Sequence, residues 1–307
     1  MATTGARGQI SALPMSLLSG PWPVRATWAM LPLCMGASLG DALGSHSAAV
    51  ARTGSVLAWA TWAGVLVAVL LPRTVSLTAL RVAAPAALLT ANWAALANDA
   101  SAWGALGVGA AALHVVAAFA PTTGDVFVNG SSYGHERRLP LRVPGPVLLG
   151  PLLLAWAATV IPLVAGPLLL AARAWLAGVA VLVLGLPLAG VGLRSLHGLA
   201  RRWLVLVPAG VVLHDHQALV EPVLFPRRTI LRLHPATVAE AADAVDATQG
   251  AFGLALALDL AEPVVVSPRR PDRDVELTAA SRVLFTPTRP GVVLREAAAR
   301  RIPVEPT

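Results

Sequence analysis

The chain has no lysine, one cysteine, one tyrosine and few charges of either sign: 13% of its 307 residues are charged. Soluble globular chains carry about 25%. Every basic residue is arginine, and alanine, valine, glycine and proline are abundant, which is the composition expected from a GC-rich genome rather than from a chemical need. The lone Cys34, between Leu33 and Met35, excludes an internal disulfide and any paired-cysteine metal or redox motif. No glycine-rich dinucleotide loop and no Walker loop is present, and although Ser, His and Asp all occur, nothing singles out a nucleophile. No cofactor or metal is therefore expected, and an enzyme has no positive signature.

What the chain has instead is apolar length. It is 56% hydrophobic with a mean hydropathy of +0.69. Stretches of spanning length, about 20 residues, fall at 28–49, 54–72, 75–97, 101–120, 146–165 and 168–193, so the expectation is an all-α membrane domain over 28–194. The first stretch is the weakest because it contains Asp41 and several small polar residues. Residues 1–25 make a poor secretory signal, and 1–27 are expected to be a disordered cytoplasmic tail.

The net charge of +7 is unevenly placed. From Met1 to Arg202, 12 Arg face four acids (+8); from Trp203 onward, 11 Arg face 12 acids (−1). The excess belongs to the membrane half and argues against a nucleic-acid face. With both termini inside, nine of those 12 Arg fall on the inner side (Arg7, Arg25, Arg73, Arg137, Arg138, Arg142, Arg194, Arg201 and Arg202), as the positive-inside rule requires. The loop 121–145 and residues 195–307 are then cytoplasmic at the cell membrane.

After Arg202 the pattern becomes short Val-, Leu- and Ile-rich segments at 203–207, 210–213, 219–225, 229–233, 252–260, 263–267 and 282–286. A last helix follows, with Thr288 as N-cap, Pro290 in its first turn and Val293, Ala297 and Arg301 along one side. This predicts a small β-rich α+β domain. By element order, residues 203–302 resemble small bacterial pleckstrin-homology-like domains. The segments Phe127-Val-Asn-Gly-Ser-Ser-Tyr-Gly-His-Glu-Arg-Arg-Leu-Pro-Leu-Arg-Val-Pro144 and Arg202-Trp-Leu-Val-Leu-Val-Pro-Ala-Gly-Val-Val-Leu-His-Asp215 resemble those of uncharacterised multi-pass membrane proteins of actinobacteria. That resemblance implies a lineage and no mechanism.

Ionisable residues inside a membrane are functional suspects. Arg81 and Asn92 lie eleven residues, three turns, apart on one helix. In a candidate polar path Arg81 and His114 form the inner part and Asp41, Asn92, Asp99 and Arg173 the outer part. The competing reading is that the arginines snorkel and that Asn92 and His114 tie helices together. The loop 121–145 offers a candidate docking surface in Asn129, Tyr133, His135, Glu136, Arg137 and Arg138, with Asn129-Gly130 as a hairpin signal. His135-Glu136 fails as a zinc-protease motif because Leu139 stands where the second His is needed. His214-Asp215-His216 has a metal-compatible spacing, but a solvated turn is the commoner use. The expectation is a non-enzymatic membrane anchor or adaptor whose cytoplasmic domain binds a protein partner or lipid headgroups. The alternative is a small transporter or channel subunit using the intramembrane polar residues.

Overall fold

The structure is a computed structural model that describes residues 20–99, 101–237, 243–269 and 277–305. Its first part is helical: α1 (Trp22–Gly44), α2 (Ala48–Leu70), α3 (Thr74–Ala97), α4 (Ala102–Phe119), the short α5 (Pro121–Asn129) and α6 (Gly145–Leu148), then α7 (Pro151–Ala171) and α8 (Trp175–Leu199). Five of these, α2, α3, α4, α7 and α8, are long and apolar enough to cross a membrane. The sixth expected span, 28–49, is instead α1, shifted six residues earlier. It matches the others in length, but Arg25, Asp41 and its small polar residues dilute its apolar character. The expected tail 1–27 lies mostly outside the described residues, and its end from Trp22 is already helix.

The long helices form because nothing in them competes with the backbone ladder. Ser47 and Ser101 accept hydrogen bonds from Val50 N and Gly104 N and so cap α2 and α4. Large apolar side chains point outward in numbers that water would not tolerate: Trp59 is 57% exposed, Leu184 70% and Leu176 87%. An exposed apolar belt of this extent is expected where the solvent is lipid.

Inside the bundle α1 buries Val24, Trp28, Leu31, Met35, Ser38 and Ala42, spaced alternately four and three residues apart along one face. Trp28 and Trp62 exchange indole hydrogen bonds with each other's carbonyl, at 2.9 and 3.2 Å. Asn98 Nδ2 donates to Ser38 O at 2.7 Å at the opposite end. The α7–α8 hairpin is packed on glycine. A Cβ at Gly178, Gly185 or Gly192, seven residues apart, would lie 2.6, 2.5 and 2.5 Å from Leu170, Pro162 and Ala155 respectively. Small residues that let helix backbones approach are the usual device where no hydrophobic effect drives association.

The strands are β1 (Arg137–Pro140), β2 (Trp203–Val207), β3 (Gly210–His214), β4 (Val223–Pro226), β5 (Ile230–Pro235), β6 (Val245–Asp246), β7 (Leu256–Val266) and β8 (Thr278–Phe285), and the helix α9 (Pro290–Ala299) follows them. They make two sheets, ordered β1-β2-β3-β4 and β5-β7-β8-β6. The expected segments 252–260 and 263–267 are one strand, β7, interrupted by an irregularity between Asp259 and Val264. Segment 219–225 shortens to β4, with Leu219 only bridging Pro268. Thr288 does not cap α9; its hydroxyl donates to Pro140 O.

The larger departure is β1. It comes from the loop between α5 and α6, within the helical half, and pairs antiparallel with β2, Arg137 opposite Leu206 and Pro140 opposite Trp203. The β domain therefore does not begin at 195. Leu139 and Leu141 sit in its core with Leu204, Leu206, Phe225, Leu256, Phe285 and Val293. The alternate residues of β2, Trp203 and Val205, pack into the helical core with Phe127, Val128 and Ala200. One sheet thus serves two cores, as the period-two alternation of strand side chains allows.

Leu139→Ala lies outside the 195–307 region yet should lower the stability of the β domain by about 2–5 kcal/mol. Thermal unfolding of the full chain in detergent checks this; an unchanged transition would mean that Leu139 is not a core residue of that domain.

Candidate functional site

Between α3 and the α7–α8 hairpin lies a cavity of about 600 Å³, within the size range of small-molecule sites. Its long walls are apolar: Leu77, Val82, Pro85, Leu88 and Leu89 of α3 face Leu152, Leu153 and Trp156 of α7 and Leu196 and Leu199 of α8. Trp156 Nε1 donates to Val82 O at 2.9 Å and ties the hairpin to α3. The end toward the β domain is polar, formed by Arg81, Pro140–Val143, Arg202, Thr288 and Phe252. Among the described residues, three arginines and no carboxylate line the cavity.

The three differ in their partners. Arg202, 2% exposed, gives Asp215 a two-pronged ion pair at 2.7 and 2.6 Å and donates its remaining nitrogen to Arg142 O at 2.7 Å. Asp215 also accepts from the backbone of Gln217 and Ala218. Arg142 is fixed by its backbone, its N–H donating to Thr286 O, while its side chain makes no ion pair among the described residues. Arg81 is half-buried; its Nε is 3.5 Å from Ala118 O and its guanidinium carbon 5.6 Å from the Phe119 ring centre. Neither of its terminal nitrogens has an acceptor among the described residues.

Two further charged clusters hold the domain. Asp125 of α5 is 3% exposed and takes a 2.7 Å hydrogen bond from Arg289, just before α9, across the junction between helices and β domain. Burial pushes its carboxyl up, opposed by Arg289 and Arg137. On the second sheet Asp259 is gripped by Arg282 and Arg232, with His234 beside it. Burial would raise this carboxyl, but the two arginine hydrogen bonds outweigh it and bring it down to about 2.

The residues expected to form a polar path are not joined: no hydrogen bond or ion pair links any two of the six. Asp41, Asn92, Asp99 and Arg173 are exposed, and Asn92 turns back to Leu88 O at 2.8 Å. His114 is fully buried against Trp28, its Nδ1 2.9 Å from Thr27 Oγ1. That hydroxyl also lies 2.8 Å from Pro23 O, and Nε2 has no partner among the described residues.

In the loop, Arg137 and Arg138 are strand residues. Asn129 ends α5 and its side chain accepts from Arg138 N, so Asn129-Gly130 makes no hairpin. Glu136 accepts from Tyr133 N and Arg138, and both Tyr133 and His135 are exposed. In His214-Asp215-His216 the central carboxylate is consumed by Arg202, and His214 stacks on Trp203 at 4.8 Å. His216, held below its ordinary pKa mainly by burial, lines a separate, more open depression of about 480 Å³ with Gln217, Gln249 and Arg269. Among the described residues no group of three or more His, Cys, Asp or Glu is placed to hold a metal.

Two stretches carry the G-x-S-x-G spacing of a nucleophile elbow, Gly36–Gly40 and Gly130–Gly134. Neither has the strand-turn-helix setting that the motif needs. Ser38 is inside α1 beside Asn98, and Ser132 follows a helix and donates to Asn129 O. Comparison with protein-family models, curated proteins and solved structures finds no match to this chain.

Asp215→Ala strands Arg202 as a buried cation and should cost about 3–5 kcal/mol, whereas the double change Arg202→Met with Asp215→Leu should recover most of it. Equal losses in thermal melts of the two variants would contradict the pairing. The Asp259 carboxyl, depressed to about 2 from an unfolded value near 3.9, stabilises the domain fully above about pH 4. That stability, on the order of 2 kcal/mol, is lost as pH falls through about 2. Asp259→Asn should flatten the acid limb of a stability-against-pH curve, and an unaltered limb would count against it.

Proposed function

We propose that this chain is a non-enzymatic membrane protein whose helices anchor a β domain at the cytoplasmic face, and that the junction between them binds lipid headgroups. The observation that carries this reading is the cavity at that junction, with apolar walls among the candidate spans and only cationic charges at its polar end. The arginine distribution supports the cytoplasmic placement, because Arg25, Arg73, Arg137, Arg138, Arg142, Arg201 and Arg202 all lie at or near the helix ends next to the β domain. Arg52 near the start of α2, Asp99 and Arg173 belong to the opposite end. Two four-stranded sheets followed by one helix support the pleckstrin-homology-like reading of the domain in element order, with the difference that its first strand comes from the membrane half.

The domain also presents apolar groups toward the bundle end. Phe252, 62% exposed, lines the cavity mouth, and Leu148 and Leu149 stand exposed beside α7. Apolar side chains among cationic ones at a membrane surface are the pattern of interfacial lipid contact.

A fluorescent reporter that matures only in the cytoplasm, fused after Thr307, should be bright, and an alkaline phosphatase fusion at the same point inactive. Phosphatase activity without fluorescence would reverse the orientation. Protein extracted in mild neutral detergent should retain anionic over zwitterionic phospholipid relative to the source membrane; recovery with no such enrichment would remove the headgroup-binding reading.

A further inference from the structure

We infer that the junction cavity is a site for a single anionic amphiphile, its phosphate or carboxylate on the Arg81 guanidinium and one acyl chain lying along α3. This rests on the lipid-binding reading above and makes it specific to one cavity and one residue.

Shape and charge both point to this ligand. The α3 residues of the wall run from Leu77 to Leu89, twelve residues and about 18 Å of helix. Arg81 lies near the domain end of that run, so the polar and apolar parts of the site are separated along its length. Leu89 and Leu153 flank the cavity and are more than half exposed. That gives a lateral opening through which a second chain can leave toward the surrounding bilayer.

The head position follows from what Arg81 lacks. An arginine within a spanning segment is costly, and anionic partners offset that cost. Among the described residues its only acceptor is a marginal one, the Ala118 carbonyl at the C-terminal end of α4. The nearby carboxylate on α5, Asp125, is engaged by Arg289. Gly124 lets α5 approach the guanidinium closely: a Cβ there would be 3.2 Å from Arg81 Nη2. Arg142, also without an ion pair among the described residues, adds a second positive charge on the same lining. With no Asp or Glu on that lining, a choline or ethanolamine nitrogen finds no counter-charge, which selects an anionic head over a zwitterionic one.

Equilibrium binding of lysophosphatidylglycerol, lysophosphatidylcholine and palmitate to the purified full-length protein in neutral detergent tests the inference. The wild type should bind lysophosphatidylglycerol, palmitate or both roughly tenfold or more tightly than lysophosphatidylcholine, whose choline cation is set against Arg81 and Arg142 and offsets its phosphate contact. Tighter binding of the glycerophosphate identifies a bilayer phospholipid as the source, and tighter binding of palmitate a free fatty acid. Arg81→Gln should weaken lysophosphatidylglycerol and palmitate roughly tenfold and so reduce the preference, while lysophosphatidylcholine, which loses a phosphate contact and a choline repulsion together, changes less. Leu88→Trp, which fills the chain channel and leaves Arg81 in place, should weaken all three probes. Undiminished preference in Arg81→Gln, or undiminished binding in Leu88→Trp, overturns the site. If anionic lipid still co-purifies with Arg81→Gln as with wild type, headgroup binding stands and only its assignment to this cavity fails. If the wild type shows neither preference nor enrichment, both fail.

Discussion

The strand Trp203–Val207 is buried on both faces, and the architecture depends on that. Leu204 and Leu206 enter the core of the β domain, while Trp203 and Val205 enter the core of the helical bundle. A strand with one solvated face could leave its bundle at little cost. Here separation exposes apolar surface on both sides of one sheet, at roughly 25 cal/mol for each Å². β1 adds a topological restraint: four residues from a loop flanked by helices complete the sheet, so the domain cannot withdraw without losing an edge strand. The helical and β-rich regions are therefore mechanically one object.

Polar groups at this junction follow the same logic. Arg202 is paired on one side with Asp215 of its own domain and on another with the carbonyl of Arg142, which precedes α6. A buried ion pair gives little net stability against a hydrophobic substitute, but it penalises misplacement strongly, since each charge is stranded if its partner moves. Asp125 with Arg289 makes the same kind of link from α5 to the last helix. Apolar burial holds the two regions together, and the charged pairs fix how they meet.

How much of this the sequence discloses depends on how local each cause is. Long apolar runs are self-sufficient signals, so the long helices were legible as elements, with ends displaced by up to seven residues. The first of them was legible as the weakest for a reason visible in its composition, Asp41 and several small polar residues. β1 was not legible, because Arg137-Arg138-Leu139-Pro140 is too short and too charged to read as a strand by itself. It becomes one only when β2 supplies a partner 66 residues later. The same holds for Asp215, which within His214-Asp215-His216 reads as a solvated turn or metal ligand until Arg202 is placed beside it. Arg81 and Asn92 share a helix face as their spacing requires. The cavity ends near Leu89, though, so one residue borders it and the other faces outward.

The cavity arises where these constraints leave a gap. The α7–α8 hairpin is bound tightly to itself through its glycines, and hydrogen bonds tie it to α3 at Trp156 and at His197, whose Nδ1 is 2.9 Å from Thr78 Oγ1. The β domain, fixed in place by its shared sheet, closes one end of that gap with Pro140–Val143, Arg202 and Thr288. A molecule occupying it would touch helices and domain together. By linkage, whatever binds only the docked arrangement stabilises that arrangement in proportion to its occupancy. Under the proposed lipid occupancy, lipid composition and domain docking become thermodynamically coupled quantities, with Arg81 as the residue through which the charge of the ligand enters.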